Sequence, residues 1–172
     1  MESPDRTAFS SADFRSILGH FPTGVVVVTS MTTSGEPVGL AVGSFTSVSL
    51  DPPLVAFLPA KTSTSFPLIR NAGRFCVNVL AADQEGVCRV FAQKGGAKFE
   101  TIPYSVSPLG CPIVEGAVAW IDCYAESVLE AGDHFICIGR VRALSAGRRV
   151  MPLLFFQGGY GRFYPSSLAA PA

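Results

Sequence analysis

Two long strand-like segments, 118–129 and 135–144, face each other across Ala131-Gly132-Asp133. A turn that short joins antiparallel neighbours, because a parallel pair needs a crossover of a dozen residues or more. The rest of the chain fits that constraint. Val25 to Thr29 is a run of β-branched residues. Ser34-Gly35-Glu36-Pro37 turns it back into Val38 to Val42 as a second hairpin. Phe45 to Leu50 alternates, Asp51-Pro52-Pro53 breaks it, and Leu54 to Leu58, Phe75 to Leu80 and Leu153 to Phe156 complete about seven or eight strands. Three short helices are expected. One is capped by Ser10 or Ser11 and turns Phe14, Ile17, Leu18 and Phe21 to one face. Another runs from Thr62 to Asn71, capped by Ser63 or Thr64 and ended by Gly73. A third is capped by Asp83 and runs to about Ala92. Helices and strands do not alternate as a doubly wound sheet requires. The expectation is a mainly β domain that closes, or nearly closes, into a barrel.

Composition narrows what such a domain does. A chain of 172 residues forms one domain with a full-sized core. It is divided into a flexible arm at 1–9, the domain at 10–165 and a tail at 166–172. Thirteen basic residues balance thirteen acidic ones. That balance excludes a nucleic-acid binder, which carries a basic excess. Charged residues are 15% of the chain, against about 25% in an average soluble protein. A surface so poor in charge is expected to be covered in part by a second subunit. No apolar run approaches the ~20 residues of a membrane helix. Met1 to Ser11 lacks the apolar core of a signal peptide, so a cytoplasmic location is expected. The five cysteines are spread 12 to 23 residues apart with no CxxC pair. That spacing suits buried thiols in a reducing cell better than disulfides or zinc. His20 and His134 are the only histidines and carry no metal-ligand spacing.

No G-x-G-x-x-G, Walker or G-x-S-x-G motif occurs. With so few acid–base residues, a bound cofactor is expected to carry any difficult chemistry. Three segments stand out. Gly43-Ser44-Phe45-Thr46-Ser47-Val48-Ser49 is followed by Lys61-Thr62-Ser63-Thr64-Ser65. Hydroxyls, a close-approach glycine, an ammonium and free N–H groups at a helix start suit a phosphate. They are also ordinary strand and capping residues. Gly132-Asp133-His134 is a turn whose histidine opens a strand, where it either faces a cleft or is a hydrogen-bonded structural residue. Gly158 to Pro165 sets aromatics on a glycine frame, able to cover a planar ring or to cap a barrel end.

Taken together and in this order, these segments resemble the short-chain flavin reductases, the reductase components of two-component flavin monooxygenases. The resemblance is carried by Phe14-Arg15, Phe21-Pro22-Thr23-Gly24-Val25, Val28-Thr29, the stretch from Gly39 to Leu54, and Phe75 to Leu80. It continues through Gly116 to Trp120, Gly132-Asp133-His134 and Pro152 to Phe156, covering about residues 12–165. It implies a homodimeric Greek-key split β-barrel of the FMN-binding type. It also implies a function: hydride transfer from NADH or NADPH to FMN or FAD, and delivery of reduced flavin to a monooxygenase partner. Leu40, Ala41, Val42, Gly43 and Ser44 are then expected along the flavin ring and ribityl chain, with Thr29 and Ser49 nearby. Phe57, Lys61, Thr62, Ser63 and Thr64 are expected round the phosphate, with Lys61 as its cation. Lys98 and Phe99 belong to the loop that closes over the flavin. His134, with Asp133, is expected at the nicotinamide, and Tyr160 and Phe163 hold the reduced nucleotide. Two alternatives use the same barrel: a flavin carrier without turnover, and an FMN oxidase of the pyridoxamine-phosphate type. The latter needs several substrate-phosphate arginines, which cannot be assigned here.

Overall fold

The long hairpin forms as the sequence implies: Ala119–Ala131 (β9) pairs antiparallel with His134–Ala146 (β10). The computed structural model describes residues 8–165; the expected tail and most of the expected arm lie outside the described residues. In chain order the other elements are α1 (Ser11–Leu18), β1 (Thr23–Gly24), β2 (Val26–Met31), β3 (Pro37–Val42), β4 (Thr46–Leu50) and β5 (Pro53–Phe57). Then follow α2 (Phe66–Ala72), β6 (Arg74–Val79), α3 (Glu85–Ala92), β7 (Tyr104–Val106) and β8 (Pro112–Val114). After the hairpin come β11 (Leu153–Phe156) and β12 (Gly159–Arg162). Seven strands make one antiparallel sheet in the order β3-β2-β6-β9-β10-β5-β4. The strands β1-β11-β12 form a small second sheet, and β7-β8 a two-stranded one.

The seven-stranded sheet does not close: of the closed or nearly closed forms expected, the open one is found, with β3 and β4 as its two edges, which do not pair. They are nevertheless consecutive in the chain, joined only by Gly43, Ser44 and Phe45. Laid flat, the outer strands would stand about 29 Å apart, six intervals of about 4.8 Å. The linker, four Cα steps from Val42 to Thr46, spans at most about 15 Å. The sheet therefore curls until its edges face each other across a gap. Ser44 fastens the linker to the end of β5: its hydroxyl donates to the Leu58 carbonyl at 3.2 Å and accepts from the Leu58 N–H at 3.1 Å.

The valine run explains why both sheet faces are buried. Val26 and Val28 pack with Leu40, Phe57, Phe66 and Phe75, while Val25 and Val27 pack with Leu80, Cys88, Phe91 and Leu153 on the other side. That is the two-residue period of a strand. All five cysteines are free and buried, and burial pushes the Cys111 thiol up to about 11 and those of Cys123 and Cys137 up to about 12. They act as small apolar side chains.

Local chemistry moved several boundaries. α2 begins at Phe66, not Thr62, because the Ser63 hydroxyl accepts from the Phe66 N–H and holds the preceding residues in a turn. Gln84, not Asp83, precedes α3, since the Asp83 carboxylate is paired with Arg148 at 2.8 Å. β12, unforeseen in its glycine-rich sequence, pairs with β11. α1 has the expected Ser10 cap, completed by Asp13 as a capping box, yet buries none of its residues. Phe9, expected in a loose arm, stacks on Phe14 at 5.9 Å between centroids.

Candidate active site

The edge strand β3 sets up the site. It pairs with β2 on one side only, so alternate residues turn their N–H and C=O groups outward. Gly39 is one of them: its carbonyl accepts from the Lys98 ammonium at 3.2 Å, and the same Nζ reaches the Phe91 carbonyl at 3.1 Å. By the same alternation Ala41 faces outward, and the chain leaves the ladder at Gly43. A groove of about 370 Å³ runs along this backbone. Leu40 to Ser44 form one wall, Leu58 to Ala60 and Thr62 to Ser65 the other, and Phe91 to Lys94, Lys98 and His134 complete it. The site thus occupies the gap in the curled sheet.

Close approach requires glycine at position 39 and crowds position 43. A Cβ on Gly39 would lie 2.7 Å from Cε1 of the buried Phe91 ring, so α3 settles onto β3 only over glycine. A Cβ on Gly43 would lie 2.8 Å from the Thr23 hydroxyl.

His134 is fixed from both sides. Its backbone bridges to Ala60, the Phe135 N–H donates to the Pro59 carbonyl at 2.9 Å, and the Lys61 N–H donates to the Asp133 carbonyl at 2.8 Å. Its Nδ1 lies 2.7 Å from an Asp133 carboxylate oxygen. A carboxylate only accepts, so Nδ1 carries the proton and Nε2 is left to meet a ligand. The hydrogen bond from His134 holds the Asp133 carboxyl below its ordinary range. Burial lowers the pKa of Lys98, the cation set deepest in the groove.

The groove brings together Leu40, Ala41, Val42, Gly43, Ser44, Thr62, Ser63, Thr64, Lys98 and His134. Other expected residues lie elsewhere. Lys61 is turned away: its ammonium is 2.7 Å from Glu130 and stands over the Phe135 ring at 5.6 Å. Thr29 is fully buried, its hydroxyl donating to the carbonyls of Cys76 and Pro112, where it ties β8 to the sheet. Phe57 is a fully buried core residue packed on Phe75. Ser49 lies on the far edge strand β4, beside its bulge. Asp133 is exposed and reaches the groove only through His134. Phe99 lines a neighbouring cavity, and Phe163 a separate one with Arg148 and Arg162. Tyr160 occupies a small cleft with Phe155 on the other flank of Ala41 to Gly43. Its hydroxyl meets the Cys88 thiol at 3.3 Å, and that contact first, then burial, raises its pKa to about 12. Ser65, part of the hydroxyl run, also lines the groove. Sequence reasoning missed the end of α3, Phe91 and Ala92, and Gln93 just after it. Only the adjoining Lys94-Gly95-Gly96 turn signals that segment.

The residues fit a planar, phosphate-bearing cofactor. An outward strand edge offers paired donors and acceptors to a heterocycle, and four consecutive hydroxyl residues with Lys98 and Lys94 suit a phosphate. Among the described residues no cluster of metal-ligating side chains occurs. No helix there is long and apolar enough to cross a membrane.

Known proteins with this pattern agree. Over 158 residues the chain is 56% identical to a flavin reductase of Pseudomonas putida, covering 92% of this chain and 93% of that one. It is 48% identical over 152 residues to the reductase subunit HsaB of a flavin-dependent monooxygenase from Rhodococcus jostii (strain RHA1), covering 88% and 77%. Among solved structures, the NADH:FAD oxidoreductase SgcE6 of Streptomyces globisporus C-1027, in complex with NAD and FAD fragments, superposes with a TM-score of 0.85. It is 36% identical, over 91% of this chain and 94% of that one. Residues 18–164 match the flavin reductase like domain, and the chain belongs to that family.

Proposed function

We propose that the chain is an NAD(P)H:flavin oxidoreductase that reduces FMN or FAD with NADH or NADPH and supplies the reduced flavin to a monooxygenase component. The observation that carries this reading is the convergence, in one groove, of the outward backbone of Ala41 to Gly43, the hydroxyls of 62–65, Lys98 and His134. A flavin bound there supplies a two-electron acceptor; the chain supplies position and shelter from water. The backbone of Ala41 and Gly43 meets the polar edge of the ring. Lys98, with Lys94 at the groove mouth, takes over the phosphate role expected of Lys61. His134, with Nε2 free, orients the nicotinamide amide and does not transfer a proton. Tyr160, across Ala41 to Gly43 from the groove, flanks the incoming nucleotide.

The functional unit we propose is a homodimer in the cytoplasm. Phe14, Ile17, Leu18 and Phe21 form one exposed apolar face with Phe9 beside it, and Ile17 is 68% exposed. A capped helix whose apolar residues, among the described residues, stay more than half exposed is suited to a second copy. Five free thiols suit a reducing compartment.

The test is steady-state oxidation of NADH and NADPH with FMN, FAD and riboflavin as acceptors. Turnover that depends on added flavin is expected. Flavin binding without nucleotide oxidation would establish a carrier instead.

A further inference from the structure

A second cavity, larger than the groove at about 610 Å³, opens directly beside it. That volume falls in the range of about 300–1,000 Å³ usual for small-molecule clefts. Groove and cavity share one wall, made of Thr64, Ser65 and Lys98. Lys98 is pinned in that wall by the carbonyls of Gly39 and Phe91.

The lining is ordered by charge. At the shared wall stand hydroxyls and an ammonium, the partners of a phosphate. Farther along come apolar and aromatic surfaces: Leu68 on α2, 45% exposed, and Tyr104 on β7, set edge-to-face with Phe99 at 5.2 Å. The exposed carboxylates of Glu36 and Glu100 rim the same cavity. Carboxylates repel a phosphate and accept hydrogen bonds from sugar hydroxyls or an exocyclic amine. A ligand entering from the wall is therefore read as phosphate first and nucleoside second.

We propose that this cavity is an adenylate subsite, in which Leu68 and Tyr104 flank the base and a rim carboxylate holds the ribose, so that the chain selects FAD over FMN. The proposal rests on the flavin reading of the groove. FMN ends at its phosphate, at the shared wall, and leaves the cavity empty. FAD continues from that phosphate through a second one into adenosine. The adenylate half of NADH has the same chemistry. It is the less favoured occupant, because the wall is continuous with the flavin phosphate position while His134 lies across the groove.

Equilibrium affinities of the full chain for FAD, FMN and riboflavin, read by quenching of flavin fluorescence, test this. FAD is expected to bind at least about tenfold tighter than FMN, the worth of one buried contact with one hydrogen bond. Leu68→Trp, made at an exposed helix position and filling the cavity, is expected to erase most of that ratio. Tyr104→Ala should do the same by removing the base platform. Equal affinities in the parent chain, or equal losses for FAD and FMN in both variants, would overturn the subsite and leave the groove reading standing. So would a rise in the NADH KM with FMN as acceptor while the FAD/FMN ratio holds, since that places the nicotinamide dinucleotide there. Failure of all three flavins to bind would overturn both readings.

Discussion

Replacing Gly39 by alanine tests whether the groove is built by the close approach of α3 to β3. The new Cβ would sit 2.7 Å from Cε1 and 3.0 Å from Cδ1 of Phe91, whereas ordinary contact begins at 3.4 Å, leaving shortfalls of 0.7 Å (3.4 − 2.7) and 0.4 Å (3.4 − 3.0). Phe91 is 1% exposed and packed edge-on against Phe99, so its ring cannot swing clear. Overpacking of this kind costs about 1–3 kcal/mol, of which alanine's advantage over glycine in a strand returns roughly 0.5–1 kcal/mol. A net loss of about 0.5–2 kcal/mol in a domain of this size lowers Tm by roughly 1–8 °C. Because Phe91 and Lys98 both line the groove, flavin affinity should fall as well, by several-fold. Thermal unfolding and flavin titration read the two effects. The decisive comparison is a double-mutant cycle with Phe91→Leu, which removes the atoms that clash. Gly39→Ala should cost much less in the Phe91→Leu background than in the parent. Costs that add to within about 0.5 kcal/mol would refute the clash as the cause.

The remaining predictions concern the cations, the histidine and the exposed helix. Lys61→Met should change FMN affinity less than about twofold, because an exposed ion pair such as that with Glu130 contributes little; Lys98→Met should weaken FMN by about tenfold or more while leaving riboflavin nearly unaffected, the worth of a charge-assisted hydrogen bond. The advantage of FMN over riboflavin should fall as pH rises. Lys98 binds phosphate while protonated, and burial lowers its pKa, so the loss begins at a lower pH than for an exposed lysine; Lys98→Arg should hold the advantage to higher pH in the same titrations. His134→Ala should raise the KM for reduced nucleotide several-fold with a smaller change in kcat, and Asp133→Asn should do so more weakly, since that carboxylate only orients the ring; a fall in kcat alone would assign proton transfer to His134. Ile17→Asp should convert the proposed dimer to a monomer in light scattering with little loss of Tm, because Ile17 stays 68% exposed among the described residues.

Features with a short period were legible in the sequence. The alternation of Val25 to Val28 between two cores, the hairpin turning at Gly132, and the Ser10 cap of α1 follow from adjacent residues alone. The stretch Leu40 to Ser44 was expected along a flavin through the family resemblance alone, and it lines the groove. What depended on distant side chains was not. Lys61 adjoins the hydroxyl run in sequence, but in the fold the segment is zipped to the 131–134 turn. That zipper turns Lys61 outward to Glu130, a residue 69 positions away. Lys98 reaches the groove from a glycine-bearing loop whose course depends on α3 seating on Gly39. Thr29 looked like a site residue, and it is instead a buried hydroxyl serving two distant carbonyls.

The location of the groove follows from topology. Consecutive strands β3 and β4 occupy opposite edges of a seven-stranded sheet, and a three-residue linker must bridge them. The linker enforces the curl, and for that reason cannot itself belong to either ladder. Gly43 and Ser44 are thus held at a fixed place with backbone groups that no strand can pair. Ser44 spends its hydroxyl on Leu58, fixing the linker to the end of β5, while Ala41 and Gly43 keep backbone groups turned to the gap. Unpaired backbone beside water costs little, and beside a heterocycle it becomes a set of fixed donors and acceptors. Closing the ladder would remove those groups, so the gap in the sheet is what leaves them open to a ligand.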